Sequence, residues 1–454
     1  MSKGFTQTVA EKLSSALKQL ENDEQFRHSI VGICVADTKT GKLIFEKNSQ
    51  VGLSPASCQK VVTSAAAFEF FGKSYTYKTQ FSYSGEIAGG VLNGSLYIQG
   101  SGDPTLGSWR WNQTKEKVVL DGLLAALAKK SITSINGNVY ALSTGWDTNV
   151  TPDGWTWEDM GNYYGAGAMS LNWRENQYDI TLRSGDLPGE KVSLVKTDPQ
   201  PVGVSLINEL TTGKKGSGDN AYIYLPSYAT KGFIRGTIPA GAQNFVISGS
   251  LPDPENQLIS TIRSLLKQAK ILVASELVTR QESNIIPSQK LTPLYSIQSP
   301  TLDSINYWFL KRSINLYGEA FVKSIAFAQK NYGATDTGIA VIREFWSKRG
   351  IDKASLKIVD GSGLSPANRV SAQALVTVMQ YAKQQNWFSS FYLGLPEMNG
   401  IKMKDGYIGG VRSYSGFVKS AAGIEYTFAF IANNFDGSPG TVREKMWKIL
   451  NLLK

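Results

Sequence analysis

Ser57 and Lys60, in the stretch Pro55-Ala-Ser-Cys-Gln-Lys60, have the residue types and spacing of a nucleophile and its base. Three residues is nearly one helical turn, so both side chains share a face. A neutral Lys60 there could take the proton from a Ser57 hydroxyl attacking a carbonyl. Serine at a helix start, just after Pro55, also puts its backbone N–H among donors able to hold an oxyanion. Taken alone, the pair is weak and reads better as an N-cap serine and a solvated surface lysine.

Composition narrows the choice of base. The chain has one histidine, His28, and no G-x-S-x-G elbow, so a Ser-His-Asp triad is excluded and His28 is read as a surface or capping residue. One histidine and two cysteines, Cys34 and Cys58, do not make a catalytic zinc site or a disulfide framework. The cysteines are read as small buried residues, and no metal or cofactor is called for. Gly72-Lys73-Ser74 imitates the end of a P-loop, but Ala67 stands where the loop needs glycine. A formal net charge of +10 comes from scattered lysines without a basic run, which argues against nucleic acid and suits a carboxylate-rich polymer. No apolar window is long enough for a transmembrane segment.

The elements that must hold Ser57 and Lys60 come from both ends of the 454-residue chain, a length that suggests roughly two to four domains. Apolar residues at 42% and charged residues at 19% describe a folded protein. Val9, Leu13, Leu17 and Leu20 mark an amphipathic first helix, not a signal peptide. Either the chain is cytosolic or an export signal has been removed. A strand hairpin over residues 30–49, turning at Thr38 to Gly41, leads into the Ser57 helix. From about Tyr83 to Gln289, short apolar runs cut by glycine and proline predict a β-rich insert closed by a helix near Asn256 to Ile271. Long helical patterns return after Thr292, followed by a hairpin over 414–434 and a final helix from about Thr441 to Leu453. The pattern is one α/β domain interrupted by an insert.

Three stretches occur in a telling order. Pro55 to Gly72, with Ser57 and Lys60, resembles the first active-site motif of penicillin-binding proteins and serine β-lactamases. Ser313-Ile314-Asn315 resembles their S-x-N motif, and Lys404-Asp405-Gly406 resembles the third, K-T-G or K-S-G, on an edge strand. Ser57 and Ser313 lie 256 residues apart, and residues 35–57, 97–106 and 359–371 also resemble the D-alanyl-D-alanine carboxypeptidase/endopeptidase family, the class C low-molecular-mass penicillin-binding proteins. The resemblance covers nearly the whole chain. It implies an α/β (α+β) penicillin-binding, serine β-lactamase-like transpeptidase domain, with an antiparallel sheet flanked by helices and two nested β-rich inserted domains. The expected peptidase domain is 1–80 and 290–454, the inserted domain 81–172 and 237–289, and the nested domain 173–236.

By the same resemblance, Ser57 attacks a D-alanyl carbonyl with Lys60 as base, and the backbone N–H groups of Ser57 and Tyr407 hold the oxyanion. Ser313 relays a proton to the leaving amine, Asn315 holds Lys60, and Lys404 supplies positive potential. Gly406 and Asp405 lie on the substrate strand, and Trp155 and Asp159 of the insert are either a substrate ledge or packing. The implied protein is a periplasmic or secreted DD-peptidase of peptidoglycan stem peptides, acting as carboxypeptidase, cross-link endopeptidase or both, and acylated by β-lactams. The alternatives are a β-lactamase or esterase on the same fold, or a non-catalytic homologue that binds cell-wall peptides. Asp405 departs from the family pattern, which has threonine or serine there to help hold the substrate's terminal carboxylate. Lys404 pairs with Asp405 in an active site, or the leaving residue is uncharged, or the site is crippled.

Overall fold

The computed structural model describes residues 7–274 and 290–454. The chain forms two compact units, Met1–Ser74 with Leu302–Ile325 and Thr335–Lys454, and Tyr75–Thr301 with Ala326–Ala334.

The first unit is built on a six-stranded antiparallel sheet. Its order is Leu43–Lys47, Ile30–Asp37, Glu425–Asn433, Val411–Lys419, Ile401–Ile408, and the two-residue strand Glu397–Met398. Alternation fills one face: Val31, Ile33 and Val35 join Phe428, Phe430, Met403 and Tyr414 in a single buried cluster. Leu13, Leu17 and Leu20 from the helix Val9–Glu21, and Val442, Met446 and Ile449 from the helix Pro439–Leu450, cover that face. Each such side chain taken from water contributes roughly 1.5–3 kcal/mol. Thr8 and Glu11 close a capping box at the first helix's start.

On the opposite side the helix Ala372–Lys383 packs against Glu425–Asn433 and Ile30–Asp37. The helix Lys60–Phe71 is buried at every residue from Lys60 to Phe68, with Lys60, Thr63 and Ser64 among them, so no face of that stretch meets solvent. It ends at Gly72, whose φ of +73° suits glycine and whose N–H donates to the Phe68 carbonyl.

The second unit contains two hydrophobic clusters. One gathers Phe81, Leu96, Ile98, Leu123, Trp173, Leu258 and Ile262 beneath the sheet Thr292–Gln298, Lys78–Tyr83, Leu96–Gln99 and Val139–Leu142. The other gathers Tyr178, Ile180, Leu182, Ile223, Ile234 and Ile247 around the strands Gln177–Arg183, Lys231–Ile238 and Phe245–Ser250. The division of the chain departs from the expected bounds, and Ala326–Ala334 also falls in the second unit. Residues 75–80 and 290–301, expected in the peptidase domain, belong to the second unit because Thr292–Gln298 pairs with Lys78–Tyr83.

The long helical pattern after Thr301 is two helices, Leu302–Lys311 and Asn315–Lys330, broken at Ser313 with φ +56°. Cys34 and Cys58 are free and buried, and His28 is exposed. Among the described residues no helix is long and apolar enough to cross a membrane.

Candidate active site

The chain reaches Ser57 through a strained turn. Ala56 has φ +44°, outside the range that suits a residue with a side chain, and it opens a short 3-10 turn over Ala56–Gln59 before the α-helix begins at Lys60. Two anchors hold that turn. Ser54 N–H donates to Asn433 Oδ1 at 2.8 Å while Asn433 Nδ2 donates back to the Ser54 carbonyl at 3.0 Å. Ser413 Oγ donates to the Pro55 carbonyl.

Lys60 is fully buried, and its Nζ makes three contacts. It donates to Asn315 Oδ1 at 2.6 Å and to the Ser362 carbonyl at 2.7 Å, and lies 3.0 Å from Ser57 Oγ. Burial and the nearby Lys404 ammonium pull the Lys60 amine down to about 7, against the opposing pull of Asp360, Glu319 and Asp405. A neutral amine with two protons committed to Asn315 and Ser362 has its lone pair left for the Ser57 hydroxyl.

The loop that supplies the Ser362 carbonyl is clamped from several directions. Asp360 accepts from the N–H groups of Gly363 and Ser365 and from the side chains of Asn368 and Gln59, at 2.7–2.9 Å. Thr63 Oγ1 donates to the Gly361 carbonyl at 2.7 Å, and both Glu319 oxygens face the Gly361 N–H. Gly363 is required twice over: its φ is +81°, and a Cβ there would lie 2.0 Å from the Ala56 carbonyl. Glu319, one helical turn beyond Asn315, is fully buried, and desolvation together with Asp360 pushes its carboxyl up to about 8. Burial thus favours the protonated Glu319 carboxyl, as it favours the neutral Lys60 amine.

On the other flank, the strand Ile401–Ile408 is the sheet edge from Met403 onward, because Glu397–Met398 pairs only with Ile401 and Lys402. A Cβ on Gly406 would meet Ser413 Oγ, the Pro55 carbonyl and Ser57 N at 2.3, 2.6 and 2.9 Å, so only glycine lets the strand pass this close to the nucleophile. Cys58 Sγ donates to the Lys404 carbonyl at 3.1 Å, and burial pushes its thiol up to about 12. Lys404 is buried, and its Nζ donates to the Asp405 carbonyl at 2.8 Å and to Asp405 Oδ1 at 2.9 Å. Burial raises the Asp405 carboxyl, but Lys404 and, more weakly, Arg412 outweigh it and hold the group below its ordinary value. Tyr407 is half exposed, with the Arg412 guanidinium 4.7 Å over its ring.

The structure thus brings Ser57, Lys60 and Asn315 into direct contact and places Lys404, Asp405 and Gly406 beside them. Ser313 stands at the break two residues ahead of Asn315. Trp155 is buried within the second unit, and Asp159 there accepts from Thr156 Oγ1 at 2.7 Å. Gln59, Thr63, Glu319, Asp360 and Ser362 were not singled out from sequence. Their signal was present in Asp360-Gly-Ser-Gly363, where two glycines allow the close approach, but which helices the loop bridges is not written locally.

Comparison with known proteins shows the family and the fold. A D-alanyl-D-alanine carboxypeptidase of Actinomadura sp. is 25% identical over 466 residues, covering 94% of this chain and 82% of the relative. The D-alanyl-D-alanine carboxypeptidase DacB of Haemophilus influenzae is 22% identical over 92% of this chain and 88% of the relative. The crystal structure of penicillin-binding protein 4 from H. influenzae superposes with a TM-score of 0.79 at 20% identity, covering 96% of this chain and 97% of that one, so the fold is the same. Residues 13–397 match the profile of the D-Ala-D-Ala carboxypeptidase 3 (S13) family, and the chain belongs to that family.

Proposed function

We propose that this chain is a serine DD-peptidase that opens D-alanyl amide bonds in peptidoglycan stem peptides through an acyl-enzyme on Ser57. The observation that carries this reading is the buried Lys60 amine, brought down to about 7 and 3.0 Å from Ser57 Oγ. A base is most effective when its pKa lies near the working pH. As Ser57 Oγ adds to the carbonyl carbon, Lys60 takes the hydroxyl proton. The Ser57 and Tyr407 N–H groups hold the oxyanion on the edge strand beside the nucleophile. The proton then passes by way of Ser313 to the leaving nitrogen, the C–N bond breaks, and water later releases the acyl group from the serine ester. Asn315 keeps Lys60 in place throughout.

The S13 family membership supports the reaction class, and penicillin-binding protein 4 of H. influenzae has been solved with a β-lactam. A β-lactam is expected to acylate Ser57 in the same way. A substrate in the cell wall places the working protein outside the cytoplasm. Two hydrophobic clusters in the second unit support a nested pair of inserted domains; Phe245–Ser250 pairs with Gln177–Arg183, so the inner one extends past the expected end at 236 to about Leu251.

Incubation with benzylpenicillin followed by mass spectrometry should find one covalent adduct, on the Ser57 peptide and absent from Ser57→Ala. Muropeptides released from purified sacculi would identify the bond cut. No adduct at saturating drug, together with no release from sacculi, would overturn the reading.

A further inference from the structure

We infer that Asp405 sets the specificity of the leaving side, and that the preferred substrate is a D-alanyl amide whose leaving residue carries a carboxamide in place of a free carboxylate. This rests on the acyl-enzyme reading above. Lys404 is the ammonium on the edge strand beside Ser57, and both of its hydrogen bonds go to the adjacent residue, to the Asp405 carbonyl and Oδ1. A contact ion pair at 2.9 Å has already used the charge that would attract a substrate carboxylate. Lys60 cannot replace it, because a base for Ser57 must be neutral. Arg412 lies over the Tyr407 ring and adds its field to that of Lys404 in keeping Asp405 ionised.

What the strand edge offers next to Gly406 is therefore an acceptor. The Lys404 pairing uses Oδ1, and the Asp405 side chain is about one-third exposed, so part of the carboxylate faces outward. An incoming carboxylate would stand against a like charge, whereas a carboxamide N–H₂ could donate to it. A site built to accept a hydrogen bond discriminates against a group that cannot donate one.

Two peptides differing by one group test this: N-acyl-L-lysyl-D-alanyl-D-alanine and its C-terminal carboxamide. For the unchanged enzyme, kcat/KM for the carboxamide is expected to exceed that for the acid at least tenfold. Asp405→Thr and the isosteric Asp405→Asn should reduce or reverse the ratio, mainly by improving the acid. Faster cleavage of the acid by the unchanged enzyme overturns the inference while leaving the peptidase reading intact. A carboxamide preference that survives in both variants also overturns it, since Asp405 would not then be the cause. Cleavage of neither peptide by any of the three proteins would defeat the peptidase reading itself.

Discussion

Lys60 can act as a base only when neutral, and its surroundings make that state accessible near pH 7. The protonated amine has no lone pair, so the rate of Ser57 acylation by penicillin should rise about tenfold per pH unit below about 7 and level off above it. A flat profile from acid to alkaline pH would contradict the assignment. Lys60→Arg keeps a cation but not a titratable one, and acylation should fall by about 10²–10⁴. Glu319 titrates in the opposite sense. Its folded-state value is raised to about 8, so its contribution to stability is complete below about 4.5 and is lost as pH rises through about 8. Glu319→Gln removes that loss. Urea denaturation should show the variant gaining on the parent between about pH 4.5 and pH 8, by several kcal/mol once the carboxyl is ionised. A gain that shrinks with rising pH would exclude a buried, protonated carboxyl.

Between elements, the site depends on how closely three backbones approach. Gly363 sits at φ +81° with its Cα turned toward the Ala56 carbonyl. Gly363→Ala should cost roughly 2–4 kcal/mol and also slow acylation, because the same loop presents the Ser362 carbonyl to Lys60. Loss of acylation without loss of stability would mean that the loop had simply re-formed elsewhere. Asn433 is a second such joint. Replacing it by alanine leaves the Ser54 N–H and carbonyl without partners and should cost about 1–3 kcal/mol in chemical denaturation. The elements themselves were largely legible in the sequence. Leu13, Leu17 and Leu20 at helical spacing, and Val31, Ile33 and Val35 at strand spacing, each define a face before any partner is known. Their ends were less so: the break at Ser313 interrupts an apolar pattern that continues through it, because tertiary contacts at Lys60 override the local preference for helix.

For the whole molecule, separate cores mean separable effects. Ile180 lies in the inner cluster of the second unit, and Ile180→Ala should destabilise by about 2–5 kcal/mol. Acylation of the remaining folded protein should be unchanged, since every group in contact with Lys60 belongs to the first unit. Net charge acts at longer range. With a formal charge of +10, retention on sacculi in a pull-down should weaken steadily as salt rises across about one Debye-length halving, from 0.05 to about 0.2 M.

The sequence by itself determined the chemistry available: one histidine, a serine three residues before a lysine, and two further motifs in order. It also determined that strands and helices from both chain ends must combine, since neither end alone could bury its apolar face. Only the tertiary structure decided the surroundings that suit Lys60 to the role of base. Lys60 and Lys404 are both buried. One is held by Asn315 Oδ1 and the Ser362 carbonyl, neutral acceptors that leave its charge uncompensated, and the other has a carboxylate at 2.9 Å. Desolvation without a contact counter-ion lowers an amine's pKa, so residues hundreds of positions away bring the Lys60 amine into the range of a base.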